Sequence, residues 1–241
     1  MQVIFDLDGT LLETARYSVA TARRMAEALG VPKPSAEQVK RAIGLPLPEF
    51  LRAILPDAEP AAIAAHFVTI EDEEIRRNLV LFPGVHDVLD GLRAEGMATV
   101  VCSNGNTEYI NTVVDLTGLR PKIDAVVSAR DFADKTAALA HLVTQDPQAV
   151  MVGDTYMDTD AAAAVRLPSI ACLYGYGDPA LLQGATFFAQ NPLDILDAAR
   201  FARYFFSHAG EIAAGSWPPE LAGSDVAELA WARFHAATRP V

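Results

Sequence analysis

Short apolar runs alternate with amphipathic stretches along much of this chain. Five runs are rich in Val, Ile, Ala or Cys and are followed by turn-forming residues: residues 3–5, 98–102, 125–127, 149–152 and 169–173. Runs this short and this uniformly apolar are typical of strands buried on both faces. Helical periodicity lies between most of them, at residues 85–95, 136–143 and 158–165. Strands that alternate with helices predict an α/β fold built on a parallel sheet.

One long stretch interrupts this alternation. From about residue 13 to about residue 80 no segment has the pattern of a strand, and amphipathic helical patterns are separated by Gly30-Val31-Pro32, Gly44-Leu45-Pro46 and Leu55-Pro56. Pro83-Gly84 marks the return to the alternating pattern. We therefore predict a core domain of residues 1–13 and 82–197 and a helical domain of residues 14–81 that covers part of it.

The last part of the chain, residues 198–241, is helical in pattern and carries no motif with recognisable chemistry. Trp217-Pro218-Pro219 interrupts it, and residues 225–237 then predict a helix with Leu229, Trp231 and Phe234 as apolar positions. We expect this extension to pack against the core or against a second copy of the chain in a homodimer.

Charge and composition narrow the classes of function. The chain has 241 residues and a formal net charge of −12, which disfavours binding to nucleic acid or to an anionic membrane surface. A small phosphorylated substrate remains compatible, because a few local cations and a metal can dominate at one site. We see no signal peptide and no apolar run of membrane-spanning length, so the cytoplasm is the expected location. Cys102 and Cys172 lie in apolar runs and are expected to be buried thiols rather than a disulfide.

Acidic residues follow two of the predicted strands. Asp6-Leu7-Asp8-Gly9-Thr10 ends the first strand, and Gly153-Asp154-Thr155 with Asp158 ends the fourth. Because ligands bind at the carboxyl ends of parallel strands, these clusters could share one divalent cation. Each cluster also has a structural explanation, the first as a turn and the second as a helix cap.

A hydroxyl group and an ammonium group complete the set. Ser103 follows the second strand, where a plain turn is the alternative explanation, and Lys135 begins a predicted helix. A lysine there opposes the helix dipole, so a nearby anion would account for it, although a solvated surface lysine is the simpler explanation. Taken together, the four positions match what phosphoryl transfer needs: nucleophile, acid or base, metal site and anion clamp.

These residues resemble the motifs of the haloacid dehalogenase-like hydrolases. Asp6 to Thr10 is similar to the first motif of that family, Ser103 to the second, Lys135 to the third, and Gly153-Asp154-Thr155 with Asp158 to the fourth. The resemblance extends from residue 1 to about residue 197. It implies a Rossmann-like three-layer α/β/α core with strand order 3-2-1-4-5, and it identifies the helical insert as an α-helical cap.

The resemblance also implies a role for each site residue. Asp6 would be the nucleophile that forms an aspartyl-phosphate, and Asp8 would act as general acid and then as general base. Ser103, Asn104 and Lys135 would hold the phosphate. Asp6, the backbone carbonyl of Asp8, and Asp154 would bind Mg²⁺. Asp158 would orient Lys135 or a metal-bound water, and Thr10 would contact the residues of the site without touching the substrate.

Further pieces resemble phosphoglycolate phosphatases within the family: residues 8–14, 43–47, 82–85 and 174–177. The chain departs from the pattern at Thr136, where proline is usual, at Gly105, where many relatives carry lysine, and at Arg166, where glycine is common. The implied activity is Mg²⁺-dependent hydrolysis of phosphoglycolate or a similar small phosphorylated metabolite.

Three alternatives remain open. A phosphosugar mutase similar to β-phosphoglucomutase would share the motifs and the cap. A haloacid dehalogenase would need neither a metal nor an acid at Asp8, and a non-catalytic metal-dependent binding protein would be expected to lack Asp6 or Asp8. Within the cap, Arg41, Arg76 and Arg77 could contact a substrate anion, but each is more simply a solvated residue, as are Asp72-Glu73-Glu74. The five histidines have no metal-ligand spacing.

Overall fold

The structure, a computed structural model, describes residues 1–217 and 221–238. Its sheet is built from six parallel strands: β1 (Gln2–Phe5), β2 (Ala98–Ser103), β3 (Ala125–Ser128), β4 (Ala149–Gly153), β5 (Ser169–Cys172) and β6 (Phe187–Ala189). Their order across the sheet is β3-β2-β1-β4-β5-β6. The predicted order of the first five strands is confirmed, and β6 extends the sheet by one edge strand that the pattern did not predict.

Ten α-helices lie in the described part of the chain. They are α1 (Ala15–Leu29), α2 (Ala36–Ala42), α3 (Leu47–Ile54), α4 (Pro60–Asn78), α5 (Val85–Ala94), α6 (Thr107–Leu116), α7 (Lys135–Gln145), α8 (Tyr156–Ala164), α9 (Asp194–Ala213) and α10 (Asp225–Thr238).

The alternation of side chains along β1 shows why the fold has three layers. Val3 and Phe5 point into an apolar cluster with residues of α5, α6 and α9, whereas Ile4 points to the opposite face and packs with residues of α7 and α8. Successive residues of a strand face opposite sides of the sheet, so an unbroken apolar strand needs helices on both sides. The three-layer α/β/α prediction is confirmed.

Helices α1–α4 form the insert between β1 and β2, and they have an apolar cluster of their own, which includes Met25, Val39 and Phe67. Two segments connect the insert to the core and run side by side. The backbone N–H of Glu13 donates to the carbonyl of Val80 at 2.9 Å. The division of the chain into domains stays a prediction, but the insert enters and leaves the core at one place.

The C-terminal extension packs against the core. Helix α9 begins at Asp194, so the predicted boundary at residue 198 falls within a helix. The helix predicted at residues 225–237 is confirmed as α10, and its Phe234 lies 5.3 Å, centroid to centroid, from the buried ring of Phe205 on α9. The predicted break at Pro218 and Pro219 lies outside the described residues.

Two further expectations concern cysteines and membranes. Cys102 and Cys172 are both buried and free, as predicted. Among residues 1–217 and 221–238, none of the helices combines the length and the apolar character needed to cross a membrane.

Candidate active site

The loops that follow β1, β2 and β4 meet at one edge of the sheet. Parallel strands all point the same way, and β1 lies between β2 and β4, so the residues that end these strands become neighbours. Asp6, Ser103 and Asp154 are brought together in this way, and all three are buried. The structure therefore collects at one place the residues that the sequence marked separately.

Lys135 is the first residue of α7, and its ammonium group lies between two carboxylates. Its Nζ donates to Oδ1 of Asp6 at 2.9 Å and to Oδ1 of Asp158 at 2.6 Å. Burial acts to lower the pKa of Lys135, but the charges of Asp158 and Asp6 outweigh it and raise the pKa. Lys135 therefore stays protonated. The two carboxylates are the nearby anions that we expected for a lysine at the start of a helix.

Asp158 has a second contact besides Lys135. Its Oδ2 accepts hydrogen bonds from the backbone N–H of Thr155 at 3.1 Å and from the Thr155 hydroxyl at 2.8 Å. The first of these bonds is part of a capping box at the start of α8. The helix-cap explanation and the orientation of Lys135 are thus both true of this one side chain.

Asp154 is held in place by a hydrogen bond to each of its carboxylate oxygens. Thr10 Oγ1 donates to its Oδ1 at 3.2 Å, and the backbone N–H of Tyr176 donates to its Oδ2 at 2.7 Å. Gly9, at φ +81°, and Gly175 both press against this carboxylate, because a Cβ on either would lie 2.2 Å from an Asp154 atom. Only glycine leaves room for Asp154 at these two positions.

The donor set at the sheet edge fits a divalent cation. Asp6, Asp154 and Asp158 each place a carboxylate oxygen within 4.8 Å of the others. Burial raises the pKa of Asp6, and burial followed by repulsion from Asp158 raises that of Asp154 to about 7. Three buried carboxylates share one ammonium, so a hard cation with oxygen ligands would offset the remaining charge. Asp6 and Asp154, with the backbone carbonyl of Asp8, are the groups that would hold Mg²⁺.

Asp8 has a different environment. Its Oδ1 accepts three hydrogen bonds, from Tyr109 Oη at 2.6 Å, Thr14 Oγ1 at 2.7 Å and Tyr17 Oη at 3.2 Å. Burial raises the pKa of Asp8, and the bonds from Tyr109, Thr14 and Tyr17 oppose this rise. Because all three donors are used at Oδ1, Oδ2 is the oxygen left to carry a proton.

The two tyrosines at Asp8 come from different parts of the chain. Tyr17 lies on α1 of the insert and Tyr109 lies on α6 of the core. Their hydroxyl oxygens are also close enough to each other for a hydrogen bond, but each hydroxyl has one proton, so that bond would replace one of the two to Asp8. A single carboxylate oxygen is therefore one place at which insert and core are in contact.

The turn after β2 contacts both the insert and the ring of Tyr109. Ser103 Oγ accepts the backbone N–H of Gly105 at 3.1 Å, and Asn104 Nδ2 donates to the carbonyl of Gly44 in the insert at 3.0 Å. A Cβ at Gly105 would lie 2.5 Å from Cδ1 of Tyr109. A side chain at position 105 would displace the ring that contacts Asp8, which accounts for glycine here in place of the lysine that the family resemblance predicts.

A cavity opens between this edge of the sheet and the insert. Its volume is about 670 Å³, including space open to solvent. Asp6, Asp8 and Ser103 line it on the core side, and residues of α1, α3 and α4 line it on the insert side. The insert therefore occupies the position of a cap over the candidate site.

The arginines considered as substrate contacts are not part of this cavity. Arg76 and Arg77 form ion pairs along the surface of α4, and the exposed Arg41 lines a separate groove. The simpler explanation, a solvated residue, is the correct one for Arg76 and Arg77. It is wrong for Glu74, which is buried and accepts a hydrogen bond from Arg24 Nη1 at 2.6 Å.

Four residues of the site were not identified from the sequence: Thr14, Tyr17, Glu71 and Tyr109. All four line the cavity, and the first two and the last contact Asp8. Thr14 lies within the stretch that resembles the phosphoglycolate phosphatases, so it carried a signal. For Tyr17 and Glu71 the helical pattern alone does not reveal which face of the insert meets the core.

A sequence model of the haloacid dehalogenase-like hydrolases matches residues 3–172. The chain belongs to this family. A phosphoglycolate phosphatase from Caulobacter vibrioides is 30% identical over 208 residues, which are 80% of this chain and 88% of that protein.

Two further proteins show how far the likeness extends. The tyrosine-protein kinase PtkA of Mycobacterium tuberculosis is 30% identical over 183 residues, 73% of this chain, and the match spans only 62% of PtkA. The crystal structure of a predicted phosphoglycolate phosphatase from Haemophilus somnus 129pt superimposes with a TM-score of 0.74 at 19% identity, covering 81% of this chain and 96% of that chain. The structural likeness supports the fold.

Proposed function

We propose that this protein is a magnesium-dependent phosphatase that hydrolyses a small phosphomonoester through an aspartyl-phosphate on Asp6. The observation that carries the proposal is the pairing of two carboxylates in one cavity. Asp6 is held by Lys135, and Asp8 is held at Oδ1 by three hydroxyl groups, while no hydrogen bond to its Oδ2 is found in the described part of the chain. One carboxylate is thus arranged as a nucleophile and the other as an acid or base.

In the first step a carboxylate oxygen of Asp6 attacks the phosphorus atom and the bond from phosphorus to the ester oxygen breaks. Asp8 donates the proton on Oδ2 to that leaving oxygen, so an alcohol departs. The burial that raises the pKa of Asp8 favours the protonated form that this step requires.

In the second step Asp8, now ionised, accepts a proton from a water molecule that attacks the same phosphorus atom. The bond between phosphorus and Asp6 breaks, which restores the carboxylate and releases inorganic phosphate. The same oxygen of Asp8 serves both steps, because the three hydrogen bonds at Oδ1 keep the side chain in one orientation.

Binding of the phosphate falls to Lys135, Ser103 and Asn104. Lys135 supplies a fixed positive charge, Ser103 supplies a hydroxyl group at the end of β2, and Asn104 supplies the amide that also joins the core to Gly44. When Mg²⁺ is bound by Asp6 and Asp154, it supplies the positive charge that lets an anionic ester approach an anionic nucleophile.

The substrate class rests on the relatives and on the cavity. The similarity to phosphoglycolate phosphatases supports a small phosphorylated metabolite, and a cavity covered by the insert favours a small ester over a macromolecule.

Phosphate release from a panel of small phosphomonoesters, with Mg²⁺ and with chelator, tests the proposal. We expect release by the wild-type protein with Mg²⁺, and at least a thousandfold loss in Asp6→Asn, because a carboxamide cannot form the acyl phosphate. Absence of release from every ester in the presence of Mg²⁺ would contradict the proposal.

The same assay distinguishes the alternatives. Conversion of one sugar phosphate into its isomer without free phosphate would indicate a mutase, and halide release from a haloacid would indicate a dehalogenase. Asp8 and the buried pair Asp154 and Asp158 argue against the dehalogenase, since attack on carbon needs neither an acid nor a metal.

A further inference from the structure

Glu71 differs from the other carboxylates on its helix. Asp72, Glu73 and Glu74 each form an ion pair with an arginine. Glu71 instead faces the cavity, and across residues 1–217 and 221–238 it has neither a hydrogen bond nor an ion pair. A half-buried carboxylate without a partner is costly, so a ligand that supplies the partner would bind with a gain in free energy.

The surroundings of Glu71 favour a positive partner. The rings of Tyr17, Phe50 and Tyr109 line the same cavity, and aromatic rings attract cations. The phenol hydroxyls of both tyrosines are already engaged with Asp8. This half of the cavity therefore offers a carboxylate and aromatic rings to the part of a substrate that lies away from the phosphate.

Cations that could receive a carboxylate are missing from the same half. Lys135 is committed to Asp6 and Asp158, and Arg130, the one arginine along the cavity lining in the described residues, is exposed and comes from the core side. A substrate carboxylate placed here would face Glu71 and Asp8 without compensation. Burial and then the charge of Asp8 raise the pKa of Glu71 to about 8, so a cation placed beside Glu71 would favour its ionised form.

We propose that the leaving group of the substrate is an amino alcohol and that Glu71 binds its ammonium group. An ammonium both offsets the charge of the carboxylate and donates a hydrogen bond to it, whereas a neutral hydroxyl does only the second. The inference rests on the proposed phosphatase activity and names the substrate class for that same site. It separates this chain from enzymes whose leaving group carries a carboxylate.

Three esters of similar size test the proposal: O-phosphoethanolamine, hydroxyethyl phosphate and phosphoglycolate, whose leaving groups are cationic, neutral and anionic. The readout is the ratio of kcat/KM for O-phosphoethanolamine to kcat/KM for hydroxyethyl phosphate, which cancels any general change in catalysis. Wild type is compared with Glu71→Gln, Glu71→Lys and Glu73→Gln. The last is the matched control, because Glu73 lies on the same helix but pairs with Arg24 on the surface. Circular dichroism checks that each variant is folded.

We expect wild type to favour O-phosphoethanolamine by about tenfold or more, the worth of one charge-assisted contact. Glu71→Gln should lower the ratio about tenfold, mainly through KM, and Glu71→Lys should lower it further and favour phosphoglycolate. Glu73→Gln should leave the ratio unchanged.

Two outcomes overturn the proposal in different ways. If wild type hydrolyses p-nitrophenyl phosphate with Mg²⁺ but prefers phosphoglycolate, or shows the same ratio as Glu71→Gln, the assignment of Glu71 fails and the phosphatase stands. If no ester, including p-nitrophenyl phosphate, releases phosphate, the proposed function fails and the assignment of Glu71 fails with it.

Discussion

The oxygen of Asp8 that accepts three hydrogen bonds fixes which oxygen can transfer a proton. Tyr109→Phe removes the shortest of these bonds, at 2.6 Å, and leaves the ring in place. We expect kcat to fall about tenfold for alkyl phosphates, because the general acid is less well oriented. Kinetic comparison with p-nitrophenyl phosphate, whose leaving group needs little protonation, should show a loss of less than about threefold.

The dependence on the leaving group separates positioning of the acid from a general structural effect. Tyr156→Phe is the matched control, since Tyr156 is 44% exposed and lies at the start of α8. Tyr156→Phe should leave kcat unchanged for both alkyl phosphates and p-nitrophenyl phosphate. An equal loss for alkyl and nitrophenyl esters in Tyr109→Phe would contradict the assigned role of Tyr109.

Glu71 also predicts how stability depends on pH. Burial, and then the charge of Asp8, raise its pKa from the ordinary 4.5 to about 8, so between these values the folded protein binds more protons than the unfolded chain. Protonated Glu71 therefore contributes stability to the fold that is fully present below about pH 4.5 and is lost as the pH rises towards 8. Glu71→Gln removes the dependence and should stabilise the protein by about 2 kcal/mol near pH 8, with little effect at low pH.

Urea unfolding at several pH values, with chelator present, measures this difference. Glu73→Gln is again the control, and it has the opposite sign, because hydrogen bonding and charge from Arg24 lower the pKa of Glu73. Its carboxylate therefore stabilises the fold at neutral pH, and Gln should weaken it slightly. A stability difference for Glu71→Gln that does not change with pH would refute the prediction.

At the scale of the element, the end of α8 carries a strained residue. Leu167 N–H bonds to the carbonyl of Ala162 at 2.9 Å and Arg166 N–H to that of Ala163 at 3.1 Å, the two bonds of a Schellman motif. Arg166 is the left-handed residue of this motif, at φ +60°, where glycine is usual. The family resemblance predicts glycine at this position.

Arg166→Gly should therefore stabilise the protein. Relief of the left-handed strain gives roughly 1–2 kcal/mol, and the greater freedom of glycine in the unfolded chain returns about 0.5–1 kcal/mol. A net gain of about 0.5–1 kcal/mol should be seen in chemical denaturation. Arg166→Ala keeps a Cβ at the same φ and should give no such gain, and equal effects of the two substitutions would show that strain is not the cause.

The elements also show what the sequence could predict. Buried strands are uniformly apolar and followed by turns, which is why five of the six strands were found. β6 has only three residues, Phe187–Ala189, and lies at the edge of the sheet, so it lacks both the length and the run of β-branched residues that mark the others.

The residues of the site also fall into those that the sequence could predict and those that it could not. Asp6, Ser103 and Asp154 could be grouped from sequence because the geometry of a parallel sheet brings strand ends together. Tyr17 and Glu71 could not, because a helical insert can turn any of its faces towards the core. The substrate side of the cavity is therefore the part that needs the three-dimensional structure.

At the scale of the whole molecule, insert and core meet around the cavity through few polar contacts. The hydroxyl groups of Tyr17 and Tyr109 meet at Asp8, and Asn104 reaches the carbonyl of Gly44. The connecting segments pair through Glu13 and Val80, and the backbone N–H of Ala15 donates to Tyr176 Oη of the core at 3.0 Å. The arrangement would let a movement of the insert change how Asp8 is held while the sheet stays fixed.

The C-terminal extension lies away from this interface and has a different role. Phe234 of α10 is buried, and its ring lies 5.3 Å from Phe205, 4.8 Å from Phe206 and 5.8 Å from Trp231. Phe205 belongs to the same apolar cluster as Val3 and Phe5 of the central strand. Helix α10 therefore completes the core layer formed by α5, α6 and α9, and none of its residues lines the cavity.

Phe234→Ala should accordingly destabilise the protein by about 3–5 kcal/mol, the cost of removing a buried phenyl ring. In the folded fraction, kcat/KM should stay within about twofold of wild type, because the ring packs against Phe205, Phe206 and Trp231, which do not line the cavity. Leu229→Ala, at a residue that is 56% exposed on the same helix, should cost less than about 1 kcal/mol. Denaturation curves and steady-state kinetics, measured on the same preparation, test both the loss of stability and the unchanged kcat/KM. Unchanged stability in Phe234→Ala would mean that α10 does not support the core, and a large fall in kcat/KM at full folding would mean that the extension acts on the site.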